Sequence, residues 1–188
     1  MRNPTISTNQ RIAWGLTGSG HYLRECLAIL RELENVDVYL SRAAQEVLGM
    51  YELSVEDLGP GIRVFHDRTA SAVPVQFFYQ QRYHTLVVAP ATSNTIAKMA
   101  VGISDTLVTN IYAQAGKCQV PSIVFACDTA PELESEAPRG TVMVYPRKIE
   151  FDNIARLATF ERTTVVEDMA ALEAAIAAQL RCANAGSF

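Results

Sequence analysis

The sequence predicts an α/β protein: a single domain built on a doubly wound, mostly parallel sheet with helices on both faces. Three observations predict it. Strand-like and helix-like segments alternate along the chain, the pattern left by crossover connections between parallel strands. The clearest strand-like segment, Leu86-Val87-Val88-Ala89, is a short apolar run of the kind found in buried strands. Polar or glycine-containing loops follow the strands, and an open α/β sheet binds its ligand beyond the carboxyl ends of its strands.

The elements follow in order. Arg11–Leu16 reads as the first strand and runs into Thr17-Gly18-Ser19-Gly20. Between Tyr22 and Leu33, the residues Leu23, Leu27, Leu30 and Leu33 fall at helical spacing. Val36–Leu40 is a second strand, and Ala43–Met50 a second helix. Leu58-Gly59-Pro60-Gly61 marks a loop before a strand at Ile62–Phe65. Val75–Arg82 reads as a helix leading into the strand at Leu86. Helix continues from Ile96 to Ala100, breaks at Gly102 and resumes over Asp105–Gln114. Ser122–Ala126 is the next strand, and Thr141–Tyr145 a strand or extended segment. A helix over Asp152–Thr159, a short strand Thr164-Val165-Val166 and a final helix over Asp168–Leu180 complete the pattern. Residues 1–10 and 182–188 are expected to be flexible termini around a domain spanning 11–181.

Composition narrows the function classes. The chain has 188 residues, 49% hydrophobic and 19% charged, enough apolar material for a core. Its net charge of −4 and lack of a basic run argue against nucleic acid as a partner. The apolar stretches are too short to span a membrane, and Met1-Arg2-Asn3-Pro4-Thr5 lacks the apolar core of a secretory signal, so a cytoplasmic location is expected. The cysteines, Cys26, Cys118, Cys127 and Cys182, form no C-x-x-C pair, and there are three histidines. Neither a metal site nor an iron–sulfur cluster is expected.

Polar residues collect at four strand ends. Gly15-Leu16-Thr17-Gly18-Ser19-Gly20 follows a strand and opens a helix. Glycines let backbone approach a phosphate, and a helix N-terminus attracts it. The loop is neither a Walker A motif nor a full G-x-G-x-x-G, which points away from a dinucleotide. Ser41 ends the second strand, where it can cap a helix or serve as a second phosphate donor. Thr92, Ser93, Asn94 and Thr95 are four consecutive polar residues at a strand-to-helix junction, more than one cap requires. They suit a polyol or a phosphate. Asp128-Thr129-Ala130-Pro131-Glu132 follows Cys127 and is expected on the pocket rim.

Together these residues resemble the flavin-containing cysteine decarboxylase superfamily, homo-oligomeric flavoproteins with a Rossmann-like fold. The family signature P-A-S-A-N-T is similar to Pro90-Ala91-Thr92-Ser93-Asn94-Thr95. Its continuation, A-K-x-A-x-G-x-x-D-N-L, is similar to Ala97–Leu107. The resemblance implies a three-layer flavodoxin-like sheet and FMN as cofactor. It implies that Gly18, Ser19 and Ser41, beside Thr17, hold the FMN phosphate, with help from the Thr92–Thr95 loop, which would also contact the ribityl chain and ring. It further implies a homo-oligomer built from trimers, for which Phe77-Phe78-Tyr79 and Ile111-Tyr112 are candidate interface residues.

The departures direct the chemistry. Gln76 stands where the family's decarboxylases carry a histidine, and a neutral amide is no general base. The decarboxylases' P-x-M-N substrate clamp has no counterpart after Cys127. Gly18-Ser19-Gly20-His21, Thr92-Ser93-Asn94 and Tyr145-Pro146-Arg147-Lys148-Ile149-Glu150 look like the archaeal-type branch that includes dihydromethanopterin reductases. That resemblance implies an FMN-dependent reductase acting on a C=N bond of a dihydropterin. Arg147 and Lys148 are candidates for an anionic substrate tail. No cysteine-rich ferredoxin-like segment is present, so a separate donor, a flavin reductase or a ferredoxin-type protein, is expected. The alternatives are an FMN electron carrier without pterin activity, or an enzyme like the flavin prenyltransferases or decarboxylases.

Overall fold

The computed structural model describes residues 11–55, 58–59, 61–68 and 73–185. Six strands form one parallel sheet: β1 (Arg11–Leu16), β2 (Val36–Leu40), β3 (Arg63–His66), β4 (Tyr83–Ala91), β5 (Ser122–Ala126) and β8 (Thr163–Val166). Their order is β3-β2-β1-β4-β5-β8. The chain winds outward from β1 to one edge, then returns to β4 and winds to the other. The strand order therefore reverses between β1 and β4, and such a switch point opens a crevice beyond the strand ends.

Side chains alternate between two cores, as the two-residue strand period requires. Trp14, Leu16, Val38, Leu40 and Phe125 pack with residues of α1 (Leu23–Glu32), α2 (Arg42–Met50) and α6 (Met169–Ala185). Ala13, Tyr39, Val88 and Val124 point the other way, toward α3 (Ser93–Ala100), α4 (Leu107–Lys117) and α5 (Lys148–Leu157). The result is the three-layer, Rossmann-like α/β architecture the sequence predicts. No described helix is long and apolar enough to cross a membrane.

A buried charge clamps the amino ends of four strands. Asp37 in β2 is fully buried. Its carboxylate accepts from Arg11 Nε at 2.6 Å, from Arg63 Nε at 2.8 Å and from Tyr83 Oη at 2.7 Å. Tyr83 shares a 2.7 Å hydrogen bond with Tyr39, whose hydroxyl also lies 3.0 Å from the Pro74 carbonyl. Burial pushes both tyrosine hydroxyls far above their ordinary pKa. Arg11, Asp37, Arg63 and Tyr83 come from β1, β2, β3 and β4, so one carboxylate joins all four.

Several elements differ from the sequence expectation, each for a local reason. Val75–Arg82 does not form an α-helix: a 3-10 turn spans Val73–Phe77, and Gln81 takes φ 54°, the left-handed region that ends a helix. Helix α5 begins at Lys148, before the expected Asp152, because the Glu150 carboxylate accepts from the Arg147 backbone N–H at 2.5 Å. Helix α6 continues to Ala185, so Cys182 is helical and the folded chain outruns the expected boundary at 181. Residues 1–10, 186–188 and Pro60 lie outside the described residues. An unexpected strand, β6 (Leu133–Ala137), pairs antiparallel with β7 (Gly140–Val144) in a separate hairpin. Phe78 and Ile111, expected at a subunit interface, are buried in this chain's own core. Phe77 is half-buried with the Arg82 guanidinium 4.1 Å from its ring centroid, and Tyr79 alone of that stretch is widely exposed.

Asp37→Asn should leave two guanidinium groups facing a neutral amide. The cost is about 3 kcal/mol of stability, the low end for a broken buried pair because Arg11 and Arg63 both reach solvent. Urea denaturation followed by circular dichroism checks this; an unchanged midpoint refutes it.

Candidate functional site

The site is built by the loops leaving β1, β2, β4 and β5. Its central fixture is Thr17, which is buried. Its hydroxyl donates to the Pro90 carbonyl at 2.7 Å and accepts from the Thr92 backbone N–H at 2.9 Å. One side chain thus ties the loop after β1 to the loop after β4 across the switch point. The Thr17 donor is spent within the fold, so its contribution to a ligand is the placement of the loop. Beneath it, the buried Trp14 indole donates to the Ala89 carbonyl at 2.6 Å.

The glycines of the first loop are required by close packing. A Cβ on Gly18 would lie 2.5 Å from the Ala43 Cβ, and one on Gly20 would lie 2.0 Å from the Tyr51 hydroxyl. Gly18 therefore lets the loop press against the first turn of α2, and Gly20 lets Tyr51 lie across the loop. Tyr51 is in turn held by a 2.8 Å hydrogen bond from its hydroxyl to the Glu136 carbonyl in the β6–β7 hairpin. No local pattern in the sequence marks Tyr51 as part of this wall.

Two helix N-termini flank the loop. Helix α1 starts after Tyr22, at φ 60°, without a side-chain cap, which leaves its first backbone N–H groups free of a side-chain acceptor. Helix α2 is capped by Ser41, whose hydroxyl accepts from Ala44 N at 3.0 Å. That role leaves the Ser41 hydroxyl proton available as a donor. Ser41 N donates to the Leu16 carbonyl at 3.1 Å, which places the cap beside the first loop. The Ser19 hydroxyl donates to the His21 carbonyl at 3.1 Å, a bond it would exchange to donate to a ligand. No acidic side chain stands among Thr17–Gly20 or at Ser41, so this donor set suits a phosphate monoester.

The second polar loop faces the first. Thr92 caps α3: its hydroxyl accepts from Thr95 N at 3.3 Å and lies 3.0 Å from Thr95 Oγ1. Thr95 is buried by this pairing, whereas Asn94 is exposed on the same turn. Ser93 donates to the Asp128 carboxylate, which links the loops after β4 and β5. Of the four predicted residues, Thr92 and Thr95 shape the loop, Ser93 is joined to Asp128, and Asn94 is presented outward.

The remaining groups fall into place around this edge. Cys127 is buried, and burial pushes its thiol up to about 12, far from a reactive thiolate at neutral pH. Arg147 and Lys148 stand on the first turn of α5, both highly exposed and both paired: Arg147 with Glu150 at 2.5 Å, Lys148 with Asp152 at 2.7 Å. Gln76 is exposed on the 3-10 turn. No group of three or more described His, Cys, Asp or Glu side chains could hold a metal ion. A cavity of about 420 Å³, lined by Met99, Tyr112, Val120, Ser122, Phe160 and Thr163, lies elsewhere. Ser122 and Thr163 begin β5 and β8, so it opens at the amino edge of the sheet, away from the polar loops.

A switch-point crevice with paired helix N-termini, serine donors and a polar α3 turn defines a mononucleotide-binding α/β protein. The chain belongs to the Flavoprotein family, whose model matches residues 1–186. It is 49% identical to Burkholderia xenovorans DmrB over 95% of this chain and 99% of that one, with a TM-score of 0.87. That protein was solved in complex with FMN, as a cubic protein cage for redox transfer. The chain is 42% identical over 142 residues to the dihydromethanopterin reductase (acceptor) of Methanosarcina mazei, covering 69% of this chain and 59% of that enzyme. It thus spans less than two thirds of that reductase. An uncharacterized protein of Methanocaldococcus jannaschii is 37% identical over 166 residues, 84% of this chain and 89% of its own.

Thr17→Val keeps the side-chain shape but leaves the Pro90 carbonyl and the Thr92 N–H without their partner. The cost should be about 1–3 kcal/mol for each buried group left unpaired. Thermal unfolding should start earlier, and FMN titration should weaken in parallel because both binding loops lose register. Full FMN affinity in a folded T17V protein would show that the two loops are positioned independently.

Proposed function

We propose that this chain is an FMN-dependent oxidoreductase that reduces a C=N bond of a dihydropterin, of the dihydromethanopterin type, with electrons from a separate donor. The observation that carries this reading is the donor set at the switch point, in a Flavoprotein-family chain that matches FMN-bound DmrB over nearly its full length. Two helix N-termini with Gly18, Ser19 and Ser41 offer a place for one phosphate, and the first loop is not a full G-x-G-x-x-G dinucleotide motif. FMN fits these donors; FAD would need a further adenylate pocket.

When bound, FMN supplies the two-electron chemistry. The chain's residues bind and orient. Gly18, Ser19 and Ser41 hold the phosphate, with the loop fixed by Thr17. Ser93, Asn94 and the backbone of the capped α3 turn reach the ribityl chain and ring. Asp128, through Ser93, sets the height of that turn. Arg147 and Lys148 would meet an anionic substrate tail only by exchanging Glu150 and Asp152 for it. Gln76, a neutral amide on an exposed turn, offers no base for decarboxylation.

The assembly belongs to the same reading: a homo-oligomer built from trimers, acting with a flavin reductase or ferredoxin-type donor. The chain exposes large apolar side chains at Val142 and Met143 on β7, at Tyr145 just after it, and at Ile149 at the start of α5. Such a surface suits contact with further copies.

The deciding experiment supplies chemically reduced, FMN-loaded protein anaerobically with a dihydromethanopterin-type pterin and, in parallel, with phosphopantothenoylcysteine. Flavin reoxidation by the pterin and no carbon dioxide from the cysteine derivative are expected. An inert pterin with rapid reduction of one-electron acceptors would make the protein an electron carrier, and carbon dioxide release would make it a decarboxylase. Mass spectrometry of the released cofactor should find FMN. Asn94→Leu should weaken FMN binding by about 1–3 kcal/mol, the cost of unpaired polar ligand atoms; unchanged titration in a folded N94L protein would exclude that turn from the flavin site.

A further inference from the structure

His21 is the one histidine at the mouth of the crevice. His84 lies near the amino end of β4, and His66 ends the edge strand β3. The His21 main chain is fixed from two sides: its carbonyl lies 3.1 Å from Ser19 Oγ and 4.0 Å from Cys127 Sγ. Its ring is held as well. It stands 3.9 Å from the Tyr22 ring, which stands 5.0 Å from the buried Phe125 of β5. This aromatic column carries the imidazole between the loops after β1 and β5, and leaves it half-buried. The charged groups that act on it are Asp128 after β5, Glu25 on α1 and Glu136 on β6. Glu136 is also paired with Arg24 at 3.1 Å. The imidazole pKa is lowered overall, with burial the largest cause; Asp128, then Glu25 and Glu136, oppose it and keep the protonated form within reach.

Reducing a C=N bond requires a proton on nitrogen as well as a hydride on carbon. Ser19 and Ser93 are too weakly acidic to supply it, the Cys127 thiol is held near 12, and Asp128 accepts from Ser93. We propose that His21 is the proton donor of this site, its imidazolium delivering a proton to the nitrogen of the reduced C=N bond. The proposal rests on the dihydropterin reading above. The carbon takes a hydride from the reduced flavin, the nitrogen takes the His21 proton, and the neutral imidazole recovers a proton from water. The two electrons come from the external donor.

Two measurements test this, one of them independent of turnover. Protein labelled with 13C at histidine Cε1 should show a His21 resonance, identified by its loss in His21→Asn. FMN brings negative charge to the crevice, so its binding should raise the His21 pKa by about half a pH unit or more. A His21 titration indifferent to FMN would place the ring away from the cofactor and overturn the proposal. In single-turnover reoxidation by dihydropterin, the wild-type rate should fall as pH rises through the His21 pKa. H21N should be slower by about 100-fold, the lower bound for general-acid catalysis, with that limb gone. Asp128→Asn, which removes one facing carboxylate, should shift the limb to lower pH. An H21N protein that binds FMN and reduces pterin at the wild-type rate refutes the donor role. Wild-type protein that binds FMN but leaves the pterin inert refutes the substrate reading instead, and the NMR titration still judges whether His21 faces the flavin.

Discussion

The crevice depends on the hydroxyl of Thr17. A switch point is where two neighbouring strands send their connections in opposite directions, so the loops leaving β1 and β4 have no covalent reason to stay together. Thr17 supplies one. Its oxygen donates to one backbone group of the β4 exit and accepts from another, so both loops share one side chain. Because Thr17 is buried, neither bond competes with water, and removing the oxygen strands two backbone groups at once. Ser19, Ser41 and the Thr92–Thr95 turn are then carried as one rigid edge rather than as separate loops.

The two ends of the sheet divide the work. At the amino end, Asp37 gathers Arg11, Arg63 and Tyr83 and holds four strands in register. At the carboxyl end, the same strands release loops whose polar groups are only partly satisfied. The buried ion cluster thus lies at the edge opposite the candidate site. The 420 Å³ cavity belongs to the amino edge, away from the candidate site.

The β6–β7 hairpin connects the rim to the outer surface. The Glu136 carbonyl accepts from Tyr51, and its carboxylate pairs with Arg24, so one strand braces the wall over Gly20. The opposite strand exposes Val142 and Met143. A contact made on that strand would therefore bear on the first loop through Tyr51. This gives assembly and cofactor binding a physical route to influence each other.

Much of this architecture was written locally. Arg11–Leu16, Val36–Leu40 and Ser122–Ala126 match the observed strands end to end, because short apolar runs between polar breaks admit few other readings. The break at Gly102, with φ 79°, was equally plain. The placement of the Thr17–Ser19 loop, Ser41 and Thr92–Thr95 along one sheet edge was legible because each follows a strand, and strand ends converge in a parallel sheet. Strand β6 was not legible: Leu-Glu-Ser-Glu-Ala carries little hydrophobic signal, and its partner β7 creates it. Only the tertiary structure decided which polar groups are spent and which remain. Thr17 is consumed by Pro90 and Thr92, Arg147 and Lys148 by their own helix, and Phe78 and Ile111 by the core, whereas Asn94 and the His21 ring stay at the rim. The sequence determines which groups can donate, accept or bury; the partners of Thr17 lie 73 and 75 residues away, and only folding brings them within hydrogen-bonding distance.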